Sequence, residues 1–198
     1  MVKCAFFDFD DTIVHGDSIV KLLKYALKKH PSSIFRFLKT LLYALLYVLH
    51  LVTHEQLKET ILFPLRLLND KELEVFYQTS VIPDYYPHMA EEMQKRKEEG
   101  CIIFLVTASS EAYMKYTDLP VDVLIGTKTE NGHIIGRNCK GASKVERIEA
   151  YLKDHQMIID YEHSYGYSDS GHDIPMLNLV KNRFKVDKKD GHLSPFIY

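Results

Sequence analysis

Val2-Lys3-Cys4-Ala5-Phe6-Phe7-Asp8-Phe9-Asp10-Asp11-Thr12 runs from a short, mostly apolar segment straight into acids and a threonine. An apolar run of this length is the form of a parallel strand buried on both faces, here expected over Val2 to Phe9. Open α/β sheets place their sites at the carboxyl ends of such strands. Side chains alternate along a strand, so Asp8 and Asp10 point one way while Phe9 points into packing. Two carboxylates about 4 Å apart repel by roughly 4 kcal/mol at an effective dielectric near 20, so the pair needs a shared proton or a bound cation. Taken alone, the two acids also read as a solubilising pair at a strand end.

Outward from that strand, the chain divides into two styles. Leu22, Leu23, Ala26 and Leu27 recur at helical spacing, and a helix there should stop before Pro31. Ser32 or Ser33 can cap a second helix through Leu51, Thr53 or His54 opens a third, and Asn69 or Asp70 caps a fourth through Thr79. After Pro83 to Pro87 the pattern alternates. A helix is expected over His88 to Glu99, a strand over Cys101 to Thr107 and another over Val121 to Ile125, then a hairpin at Asn131-Gly132. There follow a helix from Ala142 to His155, a strand near His163 to Tyr167, a helix from Asp173 and a strand over Arg183 to Val186. The expected fold class is α/β, a doubly wound parallel sheet with a helical insertion after its first strand. The core would comprise residues 1–14 and 85–198, and the helical cap residues 15–84.

The 198 residues are 46% hydrophobic and 26% charged, enough for one core and a small accessory domain. A formal charge of -2, with no arginine-rich patch, gives no field that would recruit nucleic acid. Cys4, Cys101 and Cys139 lie far apart and form no C-x-x-C pair, so they read as reduced thiols of a cytoplasmic protein. The segment before Asp8 is too short for a signal peptide. One asymmetry stands out. Between Asp17 and Glu55 there is no acidic residue, while Lys21, Lys24, Lys28, Lys29, Arg36 and Lys39 are basic. The leucine-rich run that follows is shorter than the ~20 residues a spanning helix requires. It resembles an interfacial amphipathic helix, which would give the cap a peripheral membrane contact; alternatively its leucines pack inside a cap bundle.

Chemistry-bearing residues recur at later strand ends. Thr107-Ala108-Ser109 follows one apolar run, Gly141-Ala142-Ser143-Lys144 opens a helix, and Tyr167-Ser168-Asp169-Ser170-Gly171-His172-Asp173 places two more carboxylates after another strand. Hydroxyls, backbone N–H groups and a lysine at helix starts suit a phosphate dianion, and oxygen-only ligands suit magnesium better than zinc. Lys140 lies one turn from Lys144 and competes with it for the lysine role.

In this order, D-x-D-x-T, Thr/Ser, lysine and an acidic pair resemble the four motifs of the haloacid dehalogenase superfamily over the whole chain. The helical insertion resembles the subclass with a four-helix cap that includes phosphoserine phosphatase. The resemblance implies that Asp8 is a nucleophile forming an aspartyl-phosphate and Asp10 a general acid and base. It implies phosphate contacts from Thr107, Ala108, Ser109 and Lys144, and Mg2+ on Asp8, the Asp10 carbonyl and Asp169, with Asp173 a ligand or a partner of Lys144. An acid two residues after the nucleophile resembles phosphatases and phosphomutases, so hydrolysis of a phosphomonoester leads. Transfer to an alcohol or a non-catalytic phospho-ligand module are the alternatives. Asp17 stands where phosphoserine phosphatase has a glutamate. Arg66 is the one candidate for that enzyme's cap arginine. The substrate is expected to be a phosphorylated small molecule or a lipid phosphate, since relatives with this cap include a phosphatidylglycerophosphate phosphatase.

Overall fold

A computed structural model of the chain describes residues 1–197. The chain order is β1 (Cys4–Phe7), α1 (Ser18–Lys29), α2 (Ile34–Val48), α3 (His54–Ile61), α4 (Asp70–Ser80), α5 (Pro87–Glu98), β2 (Ile102–Ser110) and α6 (Glu111–Met114). Then come β3 (Val123–Thr127), the hairpin β4 (Thr129–Glu130) and β5 (His133–Ile134), α7 (Ala142–Asp154), β6 (Tyr165–Ser168), α8 (Ile174–Leu177), β7 (Asn182–Val186) and β8 (Leu193–Pro195). The main sheet has the order β3-β2-β1-β6-β7-β8 and is parallel except for the β7–β8 pair.

β1 is central, with Phe6 opposite Phe104 on one side and Gly166 on the other. Its alternating side chains explain the unbroken apolar run, because Ala5 and Phe7 enter one core cluster and Cys4 and Phe6 the other. From β1 the chain winds outward through β2 and β3, then returns to β6 on the opposite flank. The strand order reverses between β1 and β6, and a crevice opens there at their carboxyl ends. Gly166 keeps β6 close to α8: a Cβ at this position would sit 2.8 Å from Leu177 Cδ2 and 3.1 Å from Val180 Cγ2.

Three elements differ from the sequence expectation. β2 extends through Ser110, with a register shift between Val106 and Ser110, so Thr107-Ala108-Ser109 lie in an irregular strand end and not at a helix start. Ser110 instead caps the four-residue α6. The helix expected from Asp173 shrinks to a 3₁₀ turn, Gly171–Asp173, followed by the single turn α8. β8 adds an antiparallel edge that its proline and short length concealed.

The helical insert leaves and rejoins the sheet through a hydrogen-bonded neck, where Val14 pairs antiparallel with Tyr85 and the Tyr86 N–H donates to the Ile13 carbonyl at 2.9 Å. α1 and α4 belong to the same buried cluster as one sheet face, through Leu22, Ala26, Phe76 and Tyr77. α2 and α3 touch that core only at its margin, through the half-buried Phe37 and Ile61. Capping boxes start α3 at Thr53 with Gln56 and α4 at Asn69 with Glu72. α2 ends where His50, at φ 57, lets the Leu51 N–H reach the Leu46 carbonyl at 2.9 Å, a Schellman closure.

Packing of the α2 leucines inside a bundle is overturned. α2 meets α3 through Thr40, whose hydroxyl donates to the Thr60 carbonyl at 3.0 Å. Ile34, Phe35, Leu38, Leu41, Leu42, Leu45, Val48 and Leu49 are exposed, Phe35 by 77% and Val48 by 71%. No helix among the described residues is long and apolar enough to cross a membrane.

Candidate active site

Asp8 emerges from β1 nearly buried, at 8% exposure, and the Lys144 ammonium donates to its Oδ1 at 2.6 Å. Lys144 reaches it from the first turn of α7, which begins after Gly141 at φ 56, a backbone conformation that side chains resist. The same ammonium donates to Asp173 Oδ2 at 2.9 Å, and Ser168 Oγ donates to that oxygen at 2.8 Å. Lys144 therefore bridges two buried carboxylates. Lys140 lines the cleft mouth instead. Burial alone would lower the Lys144 pKa, but the charges of Asp8 and Asp173 reverse this and hold the ammonium above its ordinary range. Burial pushes Asp8 up to about 7 against the opposing pull of Lys144.

Asp10 faces the start of α1. The Ser18 N–H donates to its Oδ1 at 2.7 Å and Ser109 Oγ to its Oδ2 at 2.7 Å. Ser18 Oγ in turn lies 2.8 Å from Ser109 Oγ and 3.0 Å from Tyr113 Oη. Burial pushes the Asp10 pKa up to about 6, and Asp17 adds to the shift. The carboxylate of Asp10 is thus oriented by Ser18 and Ser109, with a lone pair left free on each oxygen. The one proton of the Ser109 hydroxyl is committed to Asp10. Thr107 is buried, and its Oγ1 accepts from the Ser109 N–H at 3.0 Å. The Ala108 carbonyl accepts from Lys58 Nζ and Thr127 Oγ1, each at 2.8 Å.

Asp169 lies across from Asp8 at the end of β6. Thr12 Oγ1 sits 3.2 Å from Asp169 Oδ1 and 3.4 Å from Asp8 Oδ2, with one proton to offer, and accepts from the Asp169 N–H at 3.0 Å. Lys188 Nζ pairs with Asp169 Oδ2 at 2.8 Å and with Asp11 Oδ2 at 3.3 Å. Among the described residues, no group of three or more His, Cys, Asp or Glu side chains forms a metal cage. Asp173 Oδ2 takes both Lys144 and Ser168, which makes it the partner of the lysine, while Asp8 and Asp169, joined through Thr12, are the carboxylates that could hold a cation together with backbone oxygen. This donor set is all oxygen, as magnesium prefers.

Above these groups lies a cleft of about 300 Å³ between the sheet edge and α3. Helix α3 lines it with His54, Leu57, Lys58 and Ile61, which share one face. Asp17, at the α1 N-cap, accepts from the Ile19 N–H at 2.9 Å and also borders the cleft; burial raises its pKa. Arg66 does not line it. Its Nη1 donates to the Gly132 carbonyl of the β4–β5 hairpin at 2.9 Å.

The family model described as haloacid dehalogenase-like hydrolase matches residues 5–178, the span that holds Asp8, Lys144 and Asp173. The chain belongs to this family. Solved structures share the fold of this haloacid dehalogenase-like hydrolase. A Bordetella pertussis Tohama I protein with unknown function is 23% identical over 94% of this chain and 90% of its own, with a TM-score of 0.79. A phospho-aspartyl intermediate analogue of phosphoserine phosphatase is 17% identical over 92% and 85%, at 0.62. A substrate-bound phosphoserine phosphatase complex is 18% identical over 92% and 85%, at 0.58. Among curated protein sequences nothing matches.

Within this family frame, sequence reasoning missed Lys58, Asn138 and Lys188. Lys58 also donates to Asn138 Oδ1, which lies 2.8 Å from Thr127 Oγ1, whose one proton is shared between this oxygen and the Ala108 carbonyl, so one ammonium ties the cap to the irregular end of β2. Burial lowers the Lys58 pKa to about 8, against the pull of Asp10 and Asp17. The signal was present in the spacing of His54, Leu57, Lys58 and Ile61, a face that mixes apolar and cationic groups. Nothing local marks Lys188, which meets Asp169 only through the β7–β8 turn.

Proposed function

We propose that this hydrolase is a magnesium-dependent phosphomonoesterase that works through a transient aspartyl-phosphate on Asp8. The observation that carries the reading is the bracketing of Asp8, with Lys144 on Oδ1 and Thr12 and Asp169 on the side of Oδ2. An oxygen of Asp8 attacks phosphorus, the bond to the ester oxygen breaks, and Asp10 gives its proton to the departing alcohol. Asp10 then takes a proton from water as the water oxygen attacks phosphorus, which releases inorganic phosphate and restores the Asp8 carboxylate. A pKa near 6 suits a group that must do both. Lys144 holds Asp8 in place and offers charge to the phosphoryl oxygens. Magnesium, held by Asp8, Asp169 and the Asp10 carbonyl, would supply further positive charge to those oxygens.

The organic part of the substrate would lie against Ile19, Leu57, Ile61 and Leu62, with Lys58 and Lys140 near its polar end. That lining favours a small-molecule or lipid phosphate with an apolar body. It disfavours phosphoserine, for whose carboxylate the cleft holds no arginine. A phosphoserine phosphatase of similar fold has been seen as a phospho-aspartyl intermediate analogue, which supports the chemistry and not the substrate. The test is phosphate release from p-nitrophenyl phosphate and from single-chain lipid phosphates, with magnesium and with excess chelator. Turnover that requires both magnesium and Asp8 supports the proposal, and turnover unaffected by Asp8→Asn refutes it.

A further inference from the structure

We propose that α2 is a docking surface for an anionic lipid bilayer and lies in the plane of its interface. Its exposed residues recur at spacings of three and four, so Phe35, Leu38, Leu42, Leu45 and Val48 form one continuous apolar stripe. Single exposed leucines are ordinary on a protein surface; a stripe along the whole length of a helix marks an interaction site. At 15 residues and about 1.5 Å per residue, the helix is about 22 Å long, short of the ~30 Å hydrocarbon layer, so it lies on a membrane and does not cross it.

Charge identifies the occupant. No acid occurs from Ser18 to His54, and Lys24, Lys28, Arg36 and Lys39 have no carboxylate partner among the described residues. Lys21 and Lys29 of α1 are paired, with Asp84 and Glu72. A second copy of this chain covering the stripe would bring equivalent basic residues face to face, since a two-fold interface uses the same patch twice. An anionic lipid surface complements both the apolar stripe and Arg36 and Lys39 on the same helix. The C-terminal end of α2 also contacts a residue of the cleft: Tyr47 sits edge-on to His54 at 5.9 Å, and His54 lines the site. Docking would therefore hold the mouth of the cleft at the lipid–water boundary.

The test is co-sedimentation of the purified full chain with vesicles of phosphatidylcholine alone and of phosphatidylcholine with about one-third phosphatidylserine. The chain should bind the anionic vesicles at low salt, and Asp8→Asn should bind as wild type, which separates docking from catalysis. The double variant Leu42→Glu, Leu45→Glu should bind at least about tenfold more weakly while keeping the wild-type thermal transition, because both side chains are exposed. Arg36→Glu with Lys39→Glu should weaken binding by roughly ten- to a hundredfold at low salt, and by little at high salt. The proposal is overturned if folded wild type stays in the supernatant, if it binds neutral and anionic vesicles equally, or if light scattering shows a dimer that Leu42→Glu, Leu45→Glu splits.

Discussion

Replacing Lys144 with methionine keeps most of the side-chain length and removes the charge between two buried carboxylates. Lys144 is 2% exposed and donates to Asp8 at 2.6 Å and to Asp173 at 2.9 Å, so no water stands ready to take its place. Removing one partner of a buried ion pair costs about 3–5 kcal/mol, because the remaining charge is left uncompensated. Total stability of a domain is about 5–15 kcal/mol, so the variant should fold but unfold at lower urea. The loss depends on pH in a definite sense. The folded-state pKa of Asp8, already about 7, should rise further without the lysine, since burial and Asp173 then act unopposed. A carboxylate whose folded pKa is raised favours the folded state at low pH and loses that advantage as pH climbs through the folded value. The stability gap between wild type and Lys144→Met should therefore be widest above pH ~8 and narrow as pH falls to ~7, below which Asp8 is protonated in both and the gap is constant. Urea titration followed by circular dichroism, in chelator, at several pH values measures it. A gap below about 1 kcal/mol at neutral pH, or one that widens on acidification, would refute the buried three-residue arrangement.

Further outcomes follow from the same geometry. Asp10→Asn should lower kcat by about 10²- to 10⁴-fold in steady-state assays while magnesium binding, followed by calorimetry, persists, because in the proposed site only the Asp10 backbone carbonyl would hold the metal. Thr12→Val removes the hydroxyl between Asp8 and Asp169 and should weaken magnesium affinity by roughly tenfold or more, read from activity against metal concentration. Lys58 has a pKa lowered to about 8, so its ammonium is present below that value and lost above it. KM for an anionic substrate should rise as pH passes through 8 in wild type, and Lys58→Met should show a raised KM without that pH limb.

The readable parts of the sequence were those whose signals are local. The β1 run, the acids that follow it and the lysine three residues into α7 each carry their meaning in a few neighbouring residues, and the structure brings Asp8, Lys144 and Asp173 into contact. The division of labour among them was not readable, because the choice of Asp173 between metal and lysine depends on where Ser168 and Lys144 point. Long-range partners were hidden for the same reason: Lys58 meets Ala108 across 50 residues and Thr12 meets Asp169 across 157. In α2, spacing showed that the leucines share a face, but periodicity alone does not say whether that face meets protein or solvent. The extended β2 was obscured by Thr107-Ala108-Ser109, whose hydroxyls resemble a helix cap and instead brace an irregular strand against Asp10 and Asp17's helix.

The central claim is that phosphorus becomes bonded to Asp8 during turnover. Acid-quenching the enzyme during hydrolysis of a phosphomonoester, followed by peptide mass analysis, tests this directly. The β1 peptide should gain the mass of one phosphoryl group on Asp8, lose it on treatment with hydroxylamine, and show no gain in Asp8→Asn. Active enzyme that carries the label on another residue, or that turns over fully with Asp8 replaced, would contradict the account.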